Sequence, residues 1–588
     1  MYLVTTALQE LWLENTPMWL LTPGCVPKPD SESRHKWDIN GIAPDPFDSA
    51  EEITKSYEEI YKIQEQLIET LTVRLNKIHK SSHAEKFWRV HIGPWCLSYV
   101  TVIYDRHKRL TTATSNMPGI TVIGCVSSTI IPNVNPAGFN EDATDDFYNA
   151  QLYTFLCKKL DIPIVERVVT IGKLNPERNK YYFSSKTNQF LRSIAILAID
   201  FITLPLARRA EIILDASLLP RWFEIALTAL SWGNIVAIQP KKKSISLSIE
   251  VIKDHAARSV LSVAPESCDQ ITSLIFEMVG ICIPRIFVEG YQDLCSTSET
   301  IYKNLTPEVI YSTNSWWFNE PFKNWAARCS EQGSKLIGGE HAGAPFLNSY
   351  KMQEWSEISI VDYYLSWGWK GRNNFKVIKS PANKLVRFRN YRRKSTENRI
   401  MYVTTAEARH NILRLEDFSH TLNWQQRFFK NMPHEIVSEM LVRLHYHDFG
   451  WNIKSRLLRV APKLKFDNWE TNFIRRLHES KLCIFDYIST TFLEALSSNI
   501  PTVLFLDESI YPIDDEFFPF FQKFKNVHIF HDNPESAALW VQKVKDDPYE
   551  WWLSESCQEV VKSFCNDYAY SSKSPLKKWK LLLKSFIR

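Results

Sequence analysis

No two of the eleven cysteines are spaced as C-x-x-C, and their number is odd. That excludes a zinc ribbon or disulfide frame written into the sequence and predicts reduced thiols in a cytosolic protein. Net charge is equally scarce, since 70 Lys and Arg face 66 Asp and Glu and leave +4. So small a surplus leaves no footprint for nucleic acid, and any basic patch must be local. Long apolar runs are missing too. The most apolar tract, residues 190–207, is interrupted by Arg192 and Asp200 and does not read as a bilayer span. The first residues, MYLVTTALQELW, have no basic leader and carry Thr and Glu where a signal peptide stays apolar, so they read as a strand. These absences leave a cytoplasmic protein that at most touches the inner face of a membrane.

What is present is globular. Charged residues make up 23% and apolar ones 45% of 588 residues, which is too long for one core and predicts about two to four domains. Twenty Trp provide rings of the kind that line pockets with a polar edge. Downstream of residue 400, apolar runs at 440–446, 481–487, 502–507 and 527–532 alternate with helix-compatible segments. This is the signature of βαβ units and a parallel sheet. The first half offers similar runs, at 120–128, 285–290, 309–314, 335–340 and 362–369, and one clear helix over 49–78 with Ser49 and Glu52 as a capping box. MYLVTTAL at the start is echoed by IMYVTTAEA at 400–408, and the echo follows the basic stretch 384–399. That stretch reads as a solvated linker, with a binding patch as the alternative.

Two segments carry chemistry. In KLIGGEHAGAP, residues 335–345, a predicted strand breaks into glycines and delivers Glu340 and His341 where ligands of open α/β sheets gather. In FDYISTTFLEAL, residues 485–496, a strand ends, Ser489, Thr490 and Thr491 open a helix, and Glu494 lies one turn in. Free N–H groups and the positive helix end suit a phosphate, and Glu494 would accept bonds from ribose hydroxyls. The alternative is that the hydroxyls only cap the helix. His445 and His447 stand at i, i+2 on a predicted strand, but no further ligand is near, so no metal site and no cofactor is expected. Asp146 and Asn149, three apart on a predicted helix, offer an acid for the acceptor's proton or a nucleophile. The alternative for Asp146 is a helix N-terminal acid. Arg106 could hold an anionic sugar, or pair internally with Asp105.

The ordered set MYLVTTALQE, FWRVHIGPW (87–95), FYNAQLY (147–153), WWFNEPFKNWAA (316–327), YLSWGWK (364–370), VRLHYHDFGWN (442–452) and DYISTTFLEAL resembles a bacterial family of surface-carbohydrate transferases of the leptospiral type. Its later motifs are distantly similar to CDP-glycerol glycerophosphotransferases and to capsule transferases that use CMP-activated acidic sugars. The resemblance implies an α/β GT-B fold, two Rossmann-like doubly wound domains facing a central cleft. It carries the acceptor-side histidine onto His341, the donor-phosphate histidine onto His447, and the phosphate turn onto Ser489, Thr490 and Thr491. Arg443 would add a second positive group. The family favours Gln-His-Gly-Gly where this chain has Glu340-His341-Ala342-Gly343, and Tyr446 stands where Pro or Arg is usual. A carboxylate beside His341 would favour the imidazolium, although neighbours in an extended segment point apart.

The resulting expectation is an acceptor domain over 1–383, a basic linker over 384–399 and a nucleotide-donor domain over 400–588 with a final helix packing back on the first domain. The activity implied is transfer of an acidic, nonulosonic or Kdo-like, sugar from a cytidine nucleotide donor to a glycan or lipid-linked glycan acceptor at the bacterial surface. Catalysis would fall to His341, Asp146 and Glu340, donor binding to Arg443, His447, Ser489, Thr490, Thr491 and Glu494, and sugar binding to Arg106 and Asn149. Alternatives are CDP-polyol phosphotransfer, a GT-B sugar-nucleotide epimerase, and a non-catalytic glycan-binding protein. A basic, Leu-rich segment at 571–588 is compatible with peripheral membrane contact.

Overall fold

A computed structural model describes residues 1–26, 37–126, 130–169, 205–239, 254–342, 354–371, 376–386, 399–515 and 517–587, together with 203 and 352. Residues 343–345, most of the 190–207 tract, and 387–398 of the basic linker lie outside the described residues.

The described strands form three sheets, and their hydrogen-bonded neighbours run parallel. The first holds β1 (Tyr2–Val4), β2 (Met18–Leu20), β3 (Ile39–Ile42), β4 (Thr121–Cys125) and β5 (Ile164–Arg167), in the order β3-β2-β1-β4-β5. The second holds β6 (Ile212–Asp215), β7 (Ile235–Ile238), β8 (Val309–Ser312), β9 (Lys335–Gly339), β10 (Tyr363–Ser366) and β11 (Val377–Lys379), in the order β11-β10-β9-β8-β6-β7. The third holds β12 (Arg399–Val403), β13 (Met440–Arg443), β14 (Lys465–Phe466), β15 (Ser480–Phe485), β16 (Thr502–Phe505) and β17 (Phe530–His531), in the order β14-β13-β12-β15-β16-β17. The expected pair of Rossmann-like sheets is therefore present as the second and third, and a further parallel sheet precedes them.

The runs ILD, VAI, IYS and VLF inside β6, β7, β8 and β16 are buried throughout, as strands covered on both faces must be. The echoed sequences occupy equivalent places. β1 and β12 are each the first strand of their sheet, each lies centrally, and each ends in a Thr-Thr pair. The order of strands reverses between β1 and β4, between β6 and β8, and between β12 and β15, so each sheet has a crevice at the carboxyl end of that junction.

Helix α1 (Ala50–His79) starts where the sequence predicts, with Ser49 Oγ accepting from the Glu52 amide at 3.3 Å. α2 (Glu85–Asn116) carries Pro94 and is buried around most of its girth, which makes it the core of the first 300 residues. α3 (Asp146–Lys159) covers the first sheet, α4 (Arg221–Leu230) the second and α5 (Thr490–Ser497) the third. The last helix, α6 (Pro575–Lys584), returns to the second sheet, burying Trp579, Leu583 and Phe586 beside Tyr311, 5.6 Å from the Trp579 ring. Its apolar face is thus occupied by protein.

One predicted strand is not one. Residues 285–287 form a 3-10 turn, because Pro284 precedes them and the Arg285 and Ile286 amides bond the carbonyls of Asn133 and Val134 at 2.8 and 2.9 Å. All eleven cysteines are free. No described helix is long and apolar enough to cross a membrane.

Candidate functional site

At the third sheet's crevice, β12 ends in Thr404-Thr405 and β15 in Asp486-Tyr487. Asp486 bridges them, accepting from the Thr405 amide at 2.8 Å, Gln425 Nε2 at 2.6 Å and the Tyr402 hydroxyl at 3.2 Å. Burial pushes its carboxyl up to about 7 against the pull of these donors. Immediately beyond, Ser489 caps α5 by accepting from the Phe492 amide, and its hydroxyl lies 2.6 Å from that of Thr491. Thr490 and Thr491 are half-buried at the start of the helix. Glu494 is buried, with Lys384 Nζ 3.6 Å from its Oε1.

At the second sheet, β9 delivers Gly338 and Gly339 and then Glu340. A Cβ on Gly339 would lie 2.7 Å from the Tyr311 ring, so glycine leaves the room that the buried Tyr311 side chain occupies across β9. Glu340 turns inward, fully buried, and accepts from the Trp367 amide at 2.5 Å and Trp369 Nε1 at 2.9 Å. Burial raises its carboxyl to about 8, with Glu357 adding to the effect and the two N–H donors opposing it. Burial therefore favours the protonated, uncharged form of Glu340. His341 points the other way, its Nδ1 3.6 Å from Glu357 Oε1. The carboxylate beside the imidazole is thus Glu357, not Glu340. Glu357 is itself fixed, taking Trp317 Nε1 at 2.6 Å and the Tyr364 hydroxyl at 3.2 Å.

Adjacent residues of the crossover tie the two edges together. Asn383 Nδ2 reaches the Glu340 carbonyl at 3.4 Å and the Ser217 carbonyl at 2.9 Å, and its neighbour Lys384 meets Glu494.

Other predicted residues do not join this site. Arg106 is buried, and its guanidinium is taken up by Asp105 at 2.7 Å, Asn149 at 2.9 Å and the carbonyls of Asn411 and Ala143. The internal pairing, not anion binding, describes it. Asn149 is equally enclosed, donating to the carbonyls of Ala143 and Asp145 at 2.9 and 2.7 Å. Asp146 accepts from the Ala7 amide at 3.1 Å and pairs with Arg409 and with His410 at 3.0 Å. Burial raises its carboxyl, but His410 and Arg409 outweigh that and hold it at about 2. The first sheet's crevice is therefore filled by the chain's own segment 406–416. Arg443 is buried against Asp467 and the Thr471 carbonyl at 3.0 Å, stacked 4.2 Å from the Trp469 ring, so its charge is already balanced. His447 lies in the turn beyond β13, not on the strand, because β13 ends at Arg443. Burial and the nearby His445 lower its affinity for a proton. Among the described residues no cluster of His, Cys, Asp and Glu is arranged to hold a metal ion.

Three groups near these edges carried no sequence signal of their own. Glu357 sits in a π-helical turn, residues 354–358, whose local pattern says nothing of His341. Arg414 lies over the Tyr487 ring at 4.4 Å, flanked by Glu407 at 3.3 Å and Glu416 at 3.7 Å, at the foot of the Ser489 turn. Asp486 was visible only as a strand terminus.

Two doubly wound parallel sheets in succession, a crossover touching both carboxyl edges and a last helix returning to the earlier sheet define a GT-B type α/β protein. Residues 1–583 match the model of the LIC12162 family transferase, and the chain belongs to that family of transferases. No curated protein sequence matches it significantly. Among solved structures it is similar to an alpha-glucosyltransferase in complex with UDP and a 13-mer DNA (12% identity, TM-score 0.34, covering 63% of this chain and 98% of that one). It is also similar to HepE of Anabaena in complex with UDP (9%, TM-score 0.34, 64% and 99%) and to MurG of Acinetobacter baumannii (7%, TM-score 0.29, 64% and 99%).

Proposed function

We propose that the protein is a glycosyltransferase that moves an acidic sugar from a cytidine nucleotide to a surface-glycan acceptor. One observation carries the reading. Neighbouring residues Asn383 and Lys384 touch both the Glu340-His341 strand end and Glu494 on α5, so acceptor-side and donor-side groups belong to one crevice. In this reading the helix N-terminus with Thr490 and Thr491 receives the donor phosphate, and Glu494 receives the ribose. His341, its Nδ1 directed at Glu357, presents Nε2 to the acceptor hydroxyl. A bond forms from the acceptor oxygen to the anomeric carbon as the anomeric C–O bond to phosphate breaks. The hydroxyl proton passes to His341, and the negative charge leaves on the nucleotide. The cytidine preference and the acidic sugar rest on the resemblance of the motifs.

A thermal-shift panel of CMP, CDP, UDP and GDP tests it, since a ligand that binds only the folded state raises the melting temperature. A shift with CMP or CDP and not with the others is expected. A shift confined to UDP would replace the cytidine assignment, and no shift with any nucleotide would remove the donor site.

A further inference from the structure

α4 buries one face and leaves the other open. Phe223, Glu224 and Leu227 turn inward, whereas Trp222, Ile225, Ala229 and Leu230, spaced as a single helical face, turn outward. Trp222 is 58% exposed, and Trp232 in the following turn is 93% exposed. Leu206 reaches the same turn, 3.6 Å from where a Cβ on Gly233 would be. Single exposed apolar residues are ordinary, but this concentration of large ones on one helix and its turn marks an interaction surface.

The border of the patch is cationic. α6 lies alongside, with Lys580 Nζ donating to the Leu230 carbonyl at 2.7 Å. Lys577, Lys580, Leu581 and Lys584 share one face of α6 by their spacing, and Arg208 and Arg209 are exposed two and three residues beyond Leu206. α6 contains no acid, and the acid of α4, Glu224, is buried with Ser217 at 2.7 Å and Arg221 at 2.9 Å. Neither helix therefore presents a carboxylate outward. Indole rings and branched aliphatics ringed by Lys and Arg are what an anionic bilayer surface selects, since rings enter the headgroup boundary while the cations stay at the lipid phosphates.

We propose that the outer face of α4, the Trp232 turn and the lysine face of α6 together dock on an anionic lipid bilayer. This places lipid contact on α4, with α6 supplying charge while its own apolar face stays against the second sheet. None of these exposed side chains is among those assigned to the donor or acceptor, so the surface holds or fails separately from the choice of nucleotide.

Flotation of the full chain with phosphatidylcholine vesicles, with and without phosphatidylglycerol, tests the proposal. Binding to the anionic vesicles at low salt and release by added salt are expected. Trp222→Ser with Trp232→Ser should lower the bound fraction by about tenfold while leaving the melting temperature and the nucleotide shift unchanged. Lys577→Glu with Lys584→Glu, the first exposed and the second partly exposed, should weaken flotation as well and serves if the tryptophan variant misfolds. No flotation with anionic vesicles at low salt, or flotation unchanged in both variants, would overturn the proposal. A dimer in light scattering that the tryptophan variant dissolves, without lipid binding, would assign the surface to a second copy of the chain instead.

Discussion

Of the two buried glutamates near His341, Glu340 takes its donors from Trp367 and Trp369, and Glu357 faces the imidazole. The folded-state value of Glu340, about 8, lies above the ~4.3 of a free glutamate, so the folded chain binds that proton more tightly than the unfolded one. Its contribution to stability is fully present below about 4.3 and is lost as pH rises through about 8. Glu340→Gln removes the titration, and the fall in melting temperature across that window should become shallower. Glu357→Gln acts on rate instead. Glu357 Oε1 lies 3.6 Å from His341 Nδ1, so an amide there, able to donate where the carboxylate only accepts, should disturb the ring's orientation and lower kcat with nucleotide affinity unchanged. Wild-type kcat in Glu357→Gln, or a melting curve in Glu340→Gln with the wild-type pH dependence, would show that these carboxyls are misassigned.

At the scale of the element, α5 is the proposed donor-side device. Ser489 already caps it, so the hydroxyls of Thr490 and Thr491 are not needed to start the helix. Replacing both by Ala should weaken nucleotide binding by about 1–3 kcal/mol, the range for charge-assisted hydrogen bonds, while the helix stays folded. Calorimetry that finds wild-type affinity in the folded double variant would reduce the turn to a cap. The elements themselves differ in how plainly they were written. α1 was legible because its apolar positions recur at helical spacing behind a capping serine. The 285–290 run was not, since its β-like composition cannot reveal that the backbone partners come from Asn133 and Val134, 152 residues away for both pairs. β6 and β7 went unmarked because apolar runs as short as Ile212–Leu214 and Ile235–Ile238 fit several readings.

For the whole molecule, the first sheet acts as a holder for the third. Its helices grip segment 406–416 through Asp146, through Arg106 to the Asn411 carbonyl, through Arg109 to the Leu415 carbonyl at 2.6 Å, and through the Tyr57 hydroxyl to the Leu413 carbonyl at 3.2 Å. That segment carries Arg414 to the foot of the Ser489 turn. Asp146→Ala leaves Arg409 and His410 without their acid, and loss of a buried partner costs about 3–5 kcal/mol. Amide exchange in 406–416 should accelerate more than exchange elsewhere. Uniform acceleration, or none, would mean that the first sheet does not hold this segment.

The alternation of apolar runs with helical segments was enough to read a parallel α/β chain, because burial on both faces leaves a local imprint of unbroken hydrophobic strands. The Ser489 turn and the Glu340-His341 strand end were also legible, since a strand terminus and a cap are local events. Partners are not local. That Arg106 and Asn149 close on each other, that Asp146 meets residues 263 and 264 positions away, and that Glu357 rather than Glu340 faces His341 follow from how sheets and helices pack. Adjacent side chains in extended backbone point to opposite sides, so the neighbour in the chain is the one His341 does not meet.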